Sequence, residues 1–189
     1  MHLRKRQLII ARGRRVLGGD FLAVRVYLAG PGVFRPDAER FADELRALCG
    51  RYGLEGLWPA EGDDNVAPTA RGIFEANIGL IRSADAVIAD ISPFRGPHVD
   101  DGTAWEIGFA YALGKPVFAW TNDPEPLAWR IDGWRSPDGH LRDREGYLIE
   151  DFAAPANLMI VETCHSISVT PDDAVWAAAK HFRTWLRTV

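Results

Sequence analysis

The chain has 189 residues, of which 47% are hydrophobic and 25% charged, and its formal net charge is −4. This composition is typical of a globular protein that buries a sizeable core, and the length favours one domain. No run of about 18 apolar residues occurs, so the sequence predicts no transmembrane helix. Two cysteines, Cys49 and Cys164, do not make a disulfide framework, and with no signal-peptide core in view they favour a cytoplasmic protein.

Positive charge is concentrated at the start of the chain. The first 25 residues hold seven Lys or Arg and one Asp, so the remainder is strongly acidic. An acidic body is a poor surface for nucleic acid, and we expect neither a nucleic-acid nor a membrane partner. Residues 1–22 are interpreted as a basic, flexible extension and residues 23–189 as a single domain. A contact of the extension with nucleic acid or a membrane is the alternative.

Short apolar runs alternate with segments of helical periodicity along the chain. The predicted strands are 23–29, 54–58, 86–91, 117–121 and 158–161, and the predicted helices are 37–52, 73–83, 103–113 and 172–186. This alternation predicts a doubly wound, five-stranded parallel sheet with helices on both faces, a flavodoxin-like (Rossmann-like) α/β fold. The charged, Pro- and Gly-containing stretch 122–150 is interpreted as a lid or interface loop.

Chemically versatile side chains cluster between the third predicted strand and the next helix. In a parallel sheet, ligands bind where a strand ends and a helix begins. Thr103 and Glu106 have the T-x-x-E spacing of a capping box, and on spacing alone capping is the favoured interpretation. Asp100 and Gly102 crowd the same turn, and Gly102 permits close backbone approach, which favours a functional role.

Three further features are ambiguous. The tripeptide 30–32, Gly-Pro-Gly, reads as a turn, although it also exposes backbone at the ligand-binding edge of the sheet. Asn77 shares a predicted helix face with Phe74 and Ile81, so its amide needs a backbone or ligand partner. The loop 59–69 carries Glu61, Asp63 and Asp64, which are interpreted as solvated, with a role in ligand recognition as the alternative.

The chain lacks G-x-x-x-x-G-K-[ST], G-x-G-x-x-G, H-E-x-x-H and C-x-x-C. Its five histidines are scattered without ligand spacing, so we expect no metal site and no cofactor. The chemistry left to the chain is that of its carboxylates. A carboxylate of ordinary pKa, about 4.3, is ionised at neutral pH and can act as a nucleophile.

Three stretches resemble the nucleoside 2-deoxyribosyltransferase family, in the family's order. They are VYLAGPGVF at 26–34, SPFRGPHVDDGTAWEIGFAYALGKPV at 92–117 and EDFAAPANLMI at 150–160. The resemblance implies transfer of a 2-deoxyribosyl group between the purine or pyrimidine bases of 2′-deoxynucleosides. It implies a covalent glycosyl-enzyme on Glu106, with Tyr27 beside the nucleophile and Asp100 accepting hydrogen bonds from the sugar hydroxyls.

The resemblance also implies a wider binding site, and it leaves some roles open. Phe94 either stacks on the base or packs in the protein. Arg95 either binds substrate or pairs with a carboxylate such as Asp90 and shapes the loop. Asn77 stands where some members have Asp, which leaves the proton donor to the departing base open. The candidate substrate-binding residues are Gly30, Pro31, Asn77, Asp90, Phe94, Arg95, Gly102, Thr103, Asn157 and Met159.

Asn157 and Met159 match residues that family members insert into a neighbouring subunit's active site, so the resemblance implies a homo-oligomer, at least a dimer. Two alternative functions stay open: an N-glycosidase that hydrolyses nucleosides or their 5′-monophosphates, and a non-catalytic nucleoside or nucleotide sensor. An ionised Asp100 near the 5′ end would repel a phosphate by about 4 kcal/mol at 4 Å and an effective dielectric near 20, which disfavours monophosphates. Base preference is not predicted.

Overall fold

The computed structural model describes residues 23–59 and 69–188, with side chains described as far as Arg183. The basic extension predicted at 1–22 and the acidic side chains of the 59–69 loop, Glu61, Asp63 and Asp64, lie outside the described residues. Among the residues described, none of the helices has the length and apolar character needed to cross a membrane.

A five-stranded parallel sheet forms the centre of the molecule, as the sequence pattern predicts. Its spatial order is β2-β1-β3-β4-β7, and each neighbouring pair is parallel. Two short strands, β5 and β6, form a separate antiparallel pair. The strands are β1 (Val24–Ala29), β2 (Leu54–Leu57), β3 (Ala86–Asp90), β4 (Val117–Trp120), β5 (Gly133–Arg135), β6 (Leu141–Asp143) and β7 (Ser166–Ser168).

Helices cover both faces of this sheet and divide the core in two. One cluster packs α1 and α6 against the side chains of Val26, Leu28 and Ile88, and the other packs α2 and α3 against those of Tyr27, Val87 and Ala89. Successive residues of a strand point to opposite faces, which is why neighbours in β1 and β3 belong to different clusters. The helices are α1 (Ala38–Arg51), α2 (Ala70–Ser83), α3 (Asp101–Ala112), α4 (Leu127–Arg130), α5 (Leu158–Val161) and α6 (Pro171–Thr188).

The fifth strand does not lie where the apolar run predicts it. The sequence pattern indicates a strand at 158–161, but this segment is the short helix α5, begun by Asn157 as its N-cap. The strand is instead the polar segment Ser166–Ser168 at the edge of the sheet. A four-residue apolar run carries no period that distinguishes helix from strand, and the capping side chain decides for helix.

The stretch 122–150 is not structureless. It holds α4 and the hairpin of β5 and β6, which is extended by a bridge between Arg142 and Leu148. α2 also begins earlier than predicted, at Ala70, because the Thr69 side chain accepts a hydrogen bond from the Gly72 backbone at 3.0 Å. Such caps satisfy backbone N–H groups that the first helical turn leaves unpaired.

Candidate active site

Tyr27 and Glu106 are joined at the carboxyl end of the sheet. Tyr27 lies in β1 with no exposed surface, and Glu106 lies in α3, which packs on the same face of the sheet. The Tyr27 hydroxyl donates a hydrogen bond to Glu106 Oε1 at 2.5 Å. This distance is at the short end for a hydroxyl–carboxylate bond, as expected of a charge-assisted one. The pair joins side chains 79 positions apart in the sequence.

Burial controls the protonation of both partners. It raises the pKa of Glu106 to about 7, with the nearby Asp100 carboxylate adding to the rise and the Tyr27 hydrogen bond opposing it. Burial, followed by the Glu106 charge and hydrogen bond, raises the pKa of Tyr27 above its ordinary value. Tyr27 therefore remains a hydrogen-bond donor across the physiological range, and Glu106 titrates near neutrality, where a nucleophile or proton carrier is useful.

The helix that carries Glu106 is capped by Asp100 and not by Thr103. Asp100 Oδ2 accepts hydrogen bonds from the Thr103 backbone nitrogen and hydroxyl, both at 3.0 Å. The capping box predicted from the T-x-x-E spacing is therefore wrong, and Glu106 lies in the second turn of α3. Since Asp100 already satisfies the helix start, Glu106 is available to Tyr27. Gly102 is in the first turn, where a Cβ would lie 3.2 Å from Asp100 Oδ2.

Gly30 and Asp90 meet where β1 and β3 end. A Cβ on Gly30 would lie 2.8 Å from Asp90 Cβ, and Gly30 has a φ of 154°, which L side chains rarely adopt. Asp90 Oδ1 accepts a hydrogen bond from the Ser92 backbone at 3.0 Å. Burial raises the pKa of Asp90, and the hydrogen bonds from Ser92 oppose this. Pro31, at the first position of a short 3-10 helix, completes the turn.

Asp90 is on the opposite face of the sheet from Tyr27. It lines a small, mainly apolar cavity between β1, β3, α1 and α6. Strand alternation places Asp90 on the same face as Ile88, which packs with α1 and α6. The other lining residues are Leu28, Ala29, Gly30, Gly32, Phe41, Leu45, Trp58, Ile88, Trp120 and Val175.

Phe94 and Arg95 form an aromatic and cationic stack with Phe34. The Phe34 and Phe94 rings are stacked at 5.5 Å, and the Arg95 guanidinium carbon lies 5.0 Å and 4.8 Å from their centres. Among the described residues Arg95 makes no ion pair with Asp90, so the pairing suggested from sequence is replaced by cation–π contact. Phe34 is 56% exposed and was not singled out by sequence.

Asn77 lies half-buried in α2, one turn before the fully buried Ile81. Phe74, which the helical pattern placed on the same buried face, is 44% exposed. Its ring makes an edge contact with Trp105 at 5.5 Å, so two aromatic residues form a surface contact where the pattern predicts core packing.

Asn157 and Met159 are held in α5 by a residue that the sequence did not reveal. Both oxygens of Glu150 are used: one accepts from the Asn157 side-chain amide and the other from the Leu158 backbone at 3.0 Å. Asn157 Oδ1 accepts from the Met159 backbone at 3.0 Å. The Met159 side chain is 71% exposed. Glu150 belongs to the stretch 150–160 that resembles the family, but its bonds to Asn157 and Leu158 follow no capping pattern and are visible only in the structure.

The described part of the chain contains no group of three or more His, Cys, Asp or Glu side chains arranged to hold a metal ion.

The sequence model of the nucleoside 2-deoxyribosyltransferase family matches residues 26–159. This span holds Tyr27, Glu106 and the loops around them, and the chain belongs to that family. An uncharacterized protein of Schizosaccharomyces pombe is 33% identical over 155 residues, covering 71% of this chain and 74% of that protein.

Two solved structures are similar to this chain, and the first of them supports the same assignment. A 2-desoxiribosyltransferase from Leishmania mexicana has 35% identity and a TM-score of 0.69, with 83% of this chain and 97% of that chain covered. A 2-deoxyribosyltransferase from Bacillus psychrosaccharolyticus has 21% identity and a TM-score of 0.53, with 82% and 95% covered, and shares the fold. Family membership and the first of these structures support a transferase enzyme.

Proposed function

We propose that this protein transfers a 2-deoxyribosyl group between the bases of 2′-deoxynucleosides, with Glu106 as the nucleophile. The observation that carries the proposal is the buried hydrogen bond from Tyr27 to Glu106 Oε1 at 2.5 Å. The bond engages Oε1, so Oε2 is the oxygen proposed to attack, and the pKa of this carboxyl is about 7. Glu106 lies on α3, the helix that follows β3, and α/β proteins bind ligands where a strand ends and the next helix begins. Membership of the deoxyribosyltransferase family supplies the reaction class.

In the first half-reaction, Glu106 Oε2 attacks C1′ of the deoxynucleoside and forms an ester-like bond to the sugar. The C1′–N bond breaks, the base leaves with its electron pair, and a proton is added to the base. The transition state resembles an oxocarbenium ion, which a carboxylate held in place stabilises by its charge. Tyr27 orients Glu106 and keeps the attacking oxygen free.

In the second half-reaction, a ring nitrogen of another base attacks C1′, the bond to Glu106 breaks, and the nitrogen loses its proton. Two displacements at one carbon give net retention of configuration. Water in place of the incoming base would give hydrolysis. Asn77 has no acidic proton, so protonation of the leaving base falls to another group or to water.

Substrate contacts are proposed for the residues around the pair. Asp100 offers Oδ1 to the sugar hydroxyls because Oδ2 is used by Thr103. Its negative charge favours nucleosides over their 5′-monophosphates. The Gly30–Pro31 turn and the Phe34–Phe94 stack provide backbone and ring surface for the base. Asp90, on the other face of the sheet, is proposed to hold the Gly30 turn.

We further propose a homo-oligomer in which α5 of one subunit completes the site of another. The exposure of Met159 at 71%, in a helix fixed by Glu150 and Asn157, supports this. A cytoplasmic location is proposed because Cys49 and Cys164 are free thiols.

The test of the reaction is to incubate the purified protein with 2′-deoxyinosine and free adenine or cytosine and to follow products by chromatography. We expect a new deoxynucleoside from wild type and none from folded Glu106→Ala or Glu106→Gln protein. Release of hypoxanthine with no new deoxynucleoside would assign a hydrolase. Ligand binding without turnover of any 2′-deoxynucleoside or monophosphate would assign a sensor.

A further inference from the structure

Arg130, the last residue of α4, is enclosed where three loops converge. Its side chain is only 14% exposed, whereas charged side chains are rarely buried unless they are paired. The preceding residues Leu127 and Ala128 are buried, and the Leu127 backbone donates a hydrogen bond to Ala154 O at 2.8 Å. The short helix is therefore anchored in the body of the protein and delivers the guanidinium into the space between the loops.

The guanidinium bonds to each of the three loops. In the loop after β4, Nη1 donates to Glu125 O at 2.8 Å and lies 3.3 Å from Asp123 Oδ2. In the segment before α5, Nη2 donates to Pro155 O. In the loop between β3 and α3, Nε makes a longer contact with Pro97 O at 3.4 Å. Most acceptors are backbone carbonyls, so the arginine fixes the course of the chain.

Two of these loops carry the proposed substrate contacts. Pro97 lies three residues before Asp100 and in the same loop as Phe94, whose backbone donates to His98 O at 2.9 Å. Pro155 lies two residues before Asn157. The Tyr27–Glu106 pair, in contrast, is carried by β1 and α3 and does not depend on the loops for its geometry.

We propose that Arg130 is a positioning residue for substrate binding, which holds the loop ending at Asp100 and the segment leading to Asn157 in a fixed relation. This inference rests on the proposed function. Arginine suits the role because its planar group presents donors in several fixed directions, whereas a lysine ammonium is a compact charge that cannot span the three loops.

The test compares Arg130→Lys and Arg130→Met with wild type and with the control Arg135→Lys. Arg135 also donates to a backbone carbonyl, that of Gly139, but its side chain is 63% exposed. We expect Arg130→Lys to raise KM for 2′-deoxyinosine about tenfold, because a tenfold change corresponds to the loss of one charge-assisted hydrogen bond. The kcat should change less than about threefold.

Amide hydrogen exchange separates this inference from the proposed reaction. In both Arg130 variants, residues 93–100 and 154–159 should exchange faster together, and the control should match wild type. Unchanged exchange in either segment would overturn the positioning role. Faster exchange with unchanged KM, or with a fall in kcat alone, would also overturn it and leave Arg130 as a structural residue. If wild-type protein neither turns over nor binds 2′-deoxynucleosides, both the proposed function and the positioning role are contradicted. This holds whatever the exchange data show.

Discussion

The hydroxyl of Tyr27 lies 2.5 Å from Oε1 of Glu106, and this bond joins β1, an inner strand of the sheet, to the helix α3 that covers it. Tyr27 is fully buried, so its ring has no freedom to move away from the carboxylate. A nucleophile held in this way loses little orientational freedom on reaching the transition state. The remaining oxygen of Glu106 is the one that the proposed mechanism uses.

Replacing Tyr27 with Phe should impair catalysis more than folding. The carboxylate loses its orienting donor, and because that bond opposes the rise in the Glu106 pKa, the pKa should rise further. We expect kcat/KM for 2′-deoxyinosine to fall by about 10²-fold, a typical loss for a displaced reacting group, with the acid limb shifted to higher pH. The matched control is Tyr111→Phe, on the same helix as Glu106 but 65% exposed. A Tyr27→Phe enzyme with wild-type kcat/KM would refute the orienting role.

The rate should depend on pH through Glu106. Only the ionised carboxylate attacks, and its pKa is about 7, so kcat/KM should fall about tenfold per pH unit below that value. The Asp100 charge contributes to the raised pKa of Glu106, so Asp100→Asn should move the limb to lower pH even as the activity drops. The measurement is kcat/KM from pH 5 to 9. An acid limb of kcat/KM with its midpoint near pH 4.5, or one that moves to higher pH in Asp100→Asn, would contradict the assignment of the limb to Glu106.

The same buried carboxyl should make stability pH-dependent. The pKa of Glu106 is raised from 4.5 to about 7 on folding. Between pH 4.5 and pH 7 the folded state therefore keeps a proton on Glu106 that the unfolded state has lost. Stability therefore falls as pH rises through this window, by up to about 3 kcal/mol. Glu106→Gln removes the titration. Its melting temperature should match wild type near pH 4.5 and exceed it at pH 8, and a constant difference between the two proteins at all pH values would argue against the shift.

Gly30 should tolerate no side chain. A Cβ there would lie 2.8 Å from Asp90 Cβ, and φ is 154°, so Gly30→Ala combines a clash with backbone strain. We expect a loss of about 1–3 kcal/mol in the free energy of unfolding. Gly79→Ala is the control: Gly79 is in α2, where an added Cβ would have no atom within 4 Å, and alanine should stabilise the helix by about 0.5–1 kcal/mol. Denaturant unfolding should show a lower free energy of unfolding for Gly30→Ala and a higher one for Gly79→Ala. Equal changes in the two proteins would contradict a clash at Gly30.

The sheet could be predicted from sequence because its strands are buried and apolar on both sides. β1 and β3 are central strands covered by helices on both faces, and such strands appear as continuous apolar runs. The edge strand Ser166–Ser168 has no such signal, since two of its three residues are serines. The more apolar run at 158–161 was predicted to be the strand instead, although Asn157, whose side chain accepts a hydrogen bond from the Met159 backbone, begins a helix there.

The site was predictable in part. The family motifs identified Tyr27 and Glu106 as neighbours, and the structure confirms the contact between them. Local spacing misplaced the helix start, because Asp100 and Thr103 are both good capping residues and only the fold decides between them. Arg130 bonds backbone carbonyls of Pro97 and Pro155, which are 33 and 25 residues away, and such contacts leave no local pattern to find. Glu150 bonds Asn157 and Leu158, seven and eight residues on, at a spacing that no capping pattern predicts.

Trapping the glycosyl-enzyme would show directly whether Glu106 is the nucleophile. A 2′-fluoro-2′-deoxynucleoside with the arabino configuration should react slowly, because fluorine destabilises the oxocarbenium-like transition state of both half-reactions. Mass spectrometry of wild type and Glu106→Gln, followed by peptide mapping, would then locate the adduct. We expect one fluorosugar per subunit on Glu106 in wild type and none in the variant. An adduct on another residue, or base exchange that yields the α-anomer, would contradict Glu106 as the nucleophile of a double displacement.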